Sequence, residues 1–166
     1  MKVRDKWEIL HRASSKIVPD LDEMHRTIVK MTLQTAKQNS FIHGDLGIWN
    51  MLWMGGTIKI YDFGEVRLGD YHFDIAAAIT SSIRENSSEY ETREAVINFI
   101  KGYEKYGRKI DVNKLLINIQ LWYLRGMLAM LDINKEVYNI SPKSYDTYSQ
   151  AITKYKNVFS NFTQLQ

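Results

Sequence analysis

Apolar positions change period twice along the chain. From Asp20 to about Lys37, Leu21, Met24, Ile28 and Met31 recur at helical spacing, with Asp20 placed to cap the helix and Glu23 at the capping-box position. A further helix is read upstream, from about Asp5 to Ser15. The pattern then becomes β-like: Met51-Leu52-Trp53-Met54, a Gly55-Gly56 pair, and Thr57-Ile58-Lys59-Ile60-Tyr61. Two β-prone runs around two glycines predict a hairpin, because paired glycines supply the positive φ of a tight turn. Phe41-Ile42 reads as a short extended piece before it.

Helical spacing returns after the hairpin. The pattern predicts helices from Asp74 to about Arg84, from Ser88 to Tyr106 with Gly107 as a stop, from Asp111 to about Asp132, and from Ser141-Pro142 to about Phe162. The 111–132 helix is apolar on nearly every side, which suits the middle of a bundle. The expected fold is therefore mainly α with a small β-hairpin, in a single domain over 1–166. Its parts are leading helices in 1–39, a loop and hairpin in 40–64, and a helical bundle in 70–166. No internal repeat or low-complexity tract interrupts it.

Composition changes this picture little. With 45% apolar and 25% charged residues in 166, the chain has the make-up of one globular domain. The absence of cysteine excludes disulfides, thiolate metal sites and a cysteine nucleophile, and a cytoplasmic setting is the default expectation. No run of ~18 apolar residues marks a membrane span, and the charged N-terminus does not have the form of a signal peptide. A net charge of +3 is too small a bias to argue for nucleic acid. Its distribution says more: residues 41–75 carry five acids (Asp45, Asp62, Glu65, Asp70, Asp74) against two bases, between two mildly basic flanks.

That acidic island holds the chemistry. Phe41-Ile42-His43-Gly44-Asp45-Leu46-Gly47-Ile48-Trp49-Asn50 places Asp45 and Asn50 five positions apart, and Asp62-Phe63-Gly64 follows at the end of the second predicted strand. Asp and Asn alone would be ordinary turn residues. The layout of Asp-x4-Asn, hairpin and Asp-Phe-Gly suits phosphoryl transfer, which needs an oriented acceptor hydroxyl and neutralised phosphate charge. A carboxylate can orient the hydroxyl and take its proton. One carboxylate and one amide oxygen suffice for Mg²⁺, which prefers hard oxygens and shares its shell with water and phosphate.

His-Gly-Asp-Leu-x-x-x-Asn, then Ile-Tyr-Asp-Phe-Gly, then Gly69-Asp70-x3-Asp74-Ile75-Ala76 resembles the aminoglycoside phosphotransferase/choline kinase superfamily of small-molecule kinases. The resemblance covers about residues 20–165 and matches the helical C-lobe of the protein-kinase-like fold, with the N-lobe absent: residues 1–40 contain no glycine and no strand pattern. It implies Asp45 as the catalytic aspartate, Asn50 and Asp62 as ligands of Mg²⁺ and so of the nucleotide, ATP or another nucleoside triphosphate, and His43 and Asp74 as supports of the loop. The implied acceptor is a small hydroxyl compound: an aminoglycoside, a choline-like amino alcohol, homoserine or a sugar. A missing N-lobe, or self-association through the uncovered face, is the implied macromolecular partner. A non-catalytic binding or assembly module on the same fold is the alternative function.

Elsewhere the plainer readings lead. Trp53 and Trp122 read as core, His72 as a surface or packing residue, Glu65 as solvated or next to substrate, and Asp70 as structural.

Overall fold

The computed structural model describes residues 26–27, 29–31, 40–133 and 142–160. Residues 26–27 and 29–31 are helical, inside the span of the expected 20–37 helix; the helix expected over 5–15 lies outside the described residues.

From Ser40 onward, strand β1 (Ser40–Ile42) is followed through a 3₁₀ turn (Ile48–Asn50) by β2 (Met51–Met54) and β3 (Thr57–Ile60). A second 3₁₀ turn (Phe63–Glu65) leads to β4 (Arg67–Gly69). β2 and β3 form the antiparallel hairpin read from the sequence, with Met51 opposite Ile60 and Met54 opposite Thr57. Gly55 and Gly56 sit at φ 59° and 77°, a conformation that costs glycine least. β1 pairs antiparallel with β4, placing Ser40 opposite Gly69 and Ile42 opposite Arg67. This second ribbon was read only in part, since Arg67–Gly69 carries no strand signal of its own. It closes the segment 43–66 at its base, so everything between the two strands is held as one loop-and-hairpin unit.

Four helices follow: α1 (Tyr71–Ser82), α2 (Glu89–Tyr106), α3 (Val112–Ile133) and α4 (Pro142–Ser160). α1 starts three residues before the expected Asp74, because Asp70 caps it by accepting the His72 backbone N–H. Asp74 lies instead in the first turn, which frees its carboxylate to reach the loop. Ser88 and Glu91 form a reciprocal capping box at the start of α2.

α3 packs between α1 and α4, the central place its apolar surface predicts. The core joins Ile75, Ala76 and Ile79 of α1, Val96 of α2, Leu115 and Ile119 of α3, and Tyr155 and Phe159 of α4. Ala76 and Ala77 are fully buried, and their small side chains let neighbouring helices approach α1 closely.

One buried polar network pins the starts of α1 and α3 together. His72, almost fully buried, accepts the Asp111 backbone N–H at Nε2 (3.1 Å), so the ring proton sits on Nδ1 and is donated to Asp70 Oδ1 at 2.6 Å. Asn118 Nδ2 donates to the other oxygen of Asp70. Of the two places read for His72, surface or packing, the structure selects packing, with both ring nitrogens satisfied. Trp53 departs from expectation. It stands 69% exposed on the hairpin, because no described element covers that face. Among the described residues no helix is long and apolar enough to cross a membrane.

Candidate active site

The loop between β1 and the first 3₁₀ turn is tied to α1 from beneath. Asp74 accepts the backbone N–H of His43 (2.6 Å) and of Gly44 (2.9 Å), one on each carboxylate oxygen. Gly44 needs its missing side chain: it sits at φ +84°, and a Cβ there would lie 2.1 Å from Arg67 Nη1 and 2.5 Å from the Glu65 carbonyl oxygen. The His43 ring shares a 2.9 Å hydrogen bond with the Tyr61 carbonyl and packs on Phe63 at 5.0 Å between centroids. His43 therefore brackets Asp62 from both sides in sequence and couples the loop to the end of β3. Ser81 Oγ of α1 accepts the Ile48 N–H, a second tie between helix and loop.

Asp45 sits at the loop's tip with both carboxylate oxygens engaged, Oδ2 by two donors and Oδ1 by one. Trp49 Nε1 (3.2 Å) and Asn50 Nδ2 (3.1 Å) donate to Oδ2, and Arg125 Nη1 donates to Oδ1 at 3.1 Å. Asn50 Nδ2 also donates to the Asp45 carbonyl oxygen at 2.8 Å. Asn50 is buried, and its amide orientation is set by these two bonds, which leave its Oδ1 without a hydrogen-bond donor among the described residues. The Tyr61 N–H bonds the Asn50 carbonyl at 3.2 Å, extending the hairpin ladder by one rung and carrying Asp62 to the residue beyond. Asp62 is exposed and adopts a left-handed conformation (φ 61°, ψ 67°). Asp45, Asn50 and Asp62 thus come from one continuous turn-and-hairpin unit, with Asp45 and Asn50 in direct contact.

Among the described residues no three His, Asp or Glu side chains converge as a metal-binding group. Mg²⁺ does not ask for such a cage: one carboxylate and one neutral oxygen, completed by water and phosphate, is its usual protein share. The Asp62 carboxylate and the Asn50 amide oxygen are of the types that make up that share.

Arg125 is the residue beside Asp45 that sequence reasoning missed. It reaches the loop from α3, 80 positions away in sequence, and no motif spacing connects it to Asp45. A signal did exist: between Leu115 and Leu131 it is the sole charged residue in an apolar helix. Its Nη2 also lies 3.7 Å from Glu65 Oε1, and its guanidinium lies over the Trp122 ring at 5.1 Å. Trp122 stacks with Trp49 (6.1 Å, 18°) and meets Phe73 edge-on, so it is part of the packing, as read, and also of the wall beside Asp45. Arg67 faces Glu65 from the other side, at 3.6 Å. Burial lowers its pKa most, with nearby Arg125 adding to that and Glu65 opposing it.

The sequence profile of the phosphotransferase enzyme family matches residues 3–109. The chain belongs to this family. Among curated proteins, the "Protein LicA homolog" of Metamycoplasma hominis is 29% identical over 107 residues, covering 63% of this chain and 41% of that relative. The chain thus matches less than half the length of that protein. No solved structure matches. The family-matched stretch contains His43, Asp45, Asn50, Asp62 and Asp74; Trp122 and Arg125 lie beyond it.

Proposed function

We propose that the chain is the helical, catalytic lobe of a phosphotransferase that moves the γ-phosphoryl of ATP, or another nucleoside triphosphate, to the hydroxyl of a small molecule. The observation that carries this reading is the contact of Asp45 with Asn50 on a loop anchored by Asp74, with Asp62 one residue past the last hairpin rung. Asp45 orients the acceptor hydroxyl and takes its proton. Oδ2 already receives two donors, so the hydroxyl docks on the remaining lone pair of Oδ1. Asn50 and Asp62 would hold Mg²⁺, which supplies neutralisation of phosphate charge when bound. His43 and Asp74 keep the loop in place, which matters because small misplacements of reacting groups cost rate heavily.

The test is transfer of labelled γ-phosphoryl to a panel of hydroxyl acceptors, by the chain alone and by the chain fused to a nucleotide-binding lobe. Asp45→Asn is expected to lower the rate by about 10²–10⁴-fold, the usual share of a general base. An unchanged rate would overturn the role given to Asp45.

A second reading, an assembly module, draws on exposed apolar side chains of the two ribbons and the turn between them. Phe41, Trp53, Phe63 and Leu68 are each more than 60% exposed. Apolar surface of this kind rarely stays bare, and it is where a further lobe or a second copy would sit. Light scattering over a range of concentrations tests it; a monomer throughout would count against self-association.

A further inference from the structure

The acceptor side of the candidate site already contains a cation. Arg125 makes three contacts that a positively charged ligand would need: it donates to Asp45 Oδ1 at 3.1 Å, lies 3.7 Å from Glu65 Oε1, and covers the face of Trp122 at 5.1 Å. Two carboxylates and an aromatic face make a good receptor for an ammonium group. Here the chain fills that receptor itself. The side chains of Asp45 and Arg125 are 24% and 31% exposed, so their pairing is partly shielded from water and from salt. Arg125 is also tethered, and a free cation must match its effective concentration to displace it.

We propose that Arg125 is the specificity determinant for acceptor charge: it occupies the cationic subsite beside Asp45 and excludes ammonium-bearing acceptors in favour of uncharged hydroxyl compounds. The inference rests on the phosphotransferase reading for the word acceptor, but the occupied subsite is a property of the chain by itself. It also narrows the acceptors that the family resemblance implies, since aminoglycosides and choline-like alcohols both carry the charge that Arg125 already supplies. Arg125 lies past the family-matched residues 3–109, on α3 and not on the loop that carries Asp45.

The experiment follows the indole N–H of Trp49 by NMR, because that proton is donated to Asp45 Oδ2 and reports on the cluster directly. The signal is assigned with Trp49→Phe, and the 166-residue chain is titrated with choline, a quaternary ammonium alcohol. In the unaltered chain, choline is expected to leave the signal in place. In Arg125→Gln, which removes the cation, choline is expected to move it with an affinity at least about tenfold higher. Arg125→Met keeps the aliphatic stem on Trp122 and serves if the glutamine variant loses its dispersed spectrum. Arg125→Lys keeps the charge and is expected to exclude choline as the unaltered chain does. A residue that only held the fold would lose ligand binding when replaced, not acquire it.

Equal choline affinity in the unaltered chain and in Arg125→Gln would overturn the proposal. So would a failure of choline to bind any variant, since the vacated cluster would then be no cation receptor. The titration needs neither nucleotide nor turnover. A negative titration beside Asp45-dependent phosphoryl transfer defeats this proposal alone. A positive titration without phosphoryl transfer defeats the phosphotransferase reading alone.

Discussion

Asp74 offers a quantitative test of how the loop is held. Its two oxygens each accept one backbone N–H, from His43 at 2.6 Å and Gly44 at 2.9 Å, across about thirty residues of sequence. Hydrogen bonds to a charged acceptor contribute ~1.5–3 kcal/mol each. Asp74→Ala removes both and leaves two partly buried donors without a partner, so a loss of about 3–5 kcal/mol is expected. Against a total stability of ~5–15 kcal/mol, that is a large share. Asp74→Asn keeps one acceptor oxygen and turns the other into a donor facing a donor, so it should recover little of the loss. Urea unfolding measures the total, and hydrogen exchange at the His43 and Gly44 amides measures the local part. Both amides should exchange much faster in the alanine variant, while the core amides of Ile79 and Ile119 change only in step with global stability. An Asp74→Ala protein within about 1 kcal/mol of the original, with its two loop amides still protected, would refute the brace.

Three further outcomes follow from the same geometry. Gly44→Ala is expected to cost about 2–4 kcal/mol, from positive φ and from a Cβ driven into the Glu65 carbonyl and Arg67, and a urea midpoint near that of the parent would contradict it. His72→Phe should cost about 3 kcal/mol or more, because it strips partners from the Asp70 carboxylate and the Asp111 N–H in a buried place; thermal unfolding checks this. Stability should also fall at acid pH through Asp70. Burial by itself would raise the Asp70 pKa, but the hydrogen bonds from the His72 side chain and backbone outweigh it and hold the group below its ordinary 3.8. The folded state then binds this proton more weakly than the unfolded state, so the contribution is whole above about pH 4 and is lost as pH falls below it. Asp70→Asn should flatten that part of a urea-midpoint curve; a curve parallel to the parent's would refute the assignment.

What the sequence determined by itself is whatever neighbouring residues settle among themselves. The β2–β3 hairpin is legible because Gly55 and Gly56 supply the two positive φ angles of its turn. The start of α2 is legible because Ser88 and Glu91 satisfy each other's backbone donors within one turn. Family membership was legible because the Asp45, Asn50, Asp62 and Asp74 motifs lie within thirty residues. Tertiary structure decided the rest. β4 is a strand only because β1 lies beside it, for a three-residue run has no periodicity to read. Trp53 is exposed although its chemistry favours burial, since burial depends on what covers the hairpin and not on the residue. Arg125 meets Asp45 because α3 packs on α1 at one particular rotation, and an 80-residue contact leaves no spacing in the chain. Local conformational preferences act over a few bonds and can be read in order along the sequence. A charge that closes a site from a distant helix is set by the packing of the whole core, and becomes visible only once that core is assembled.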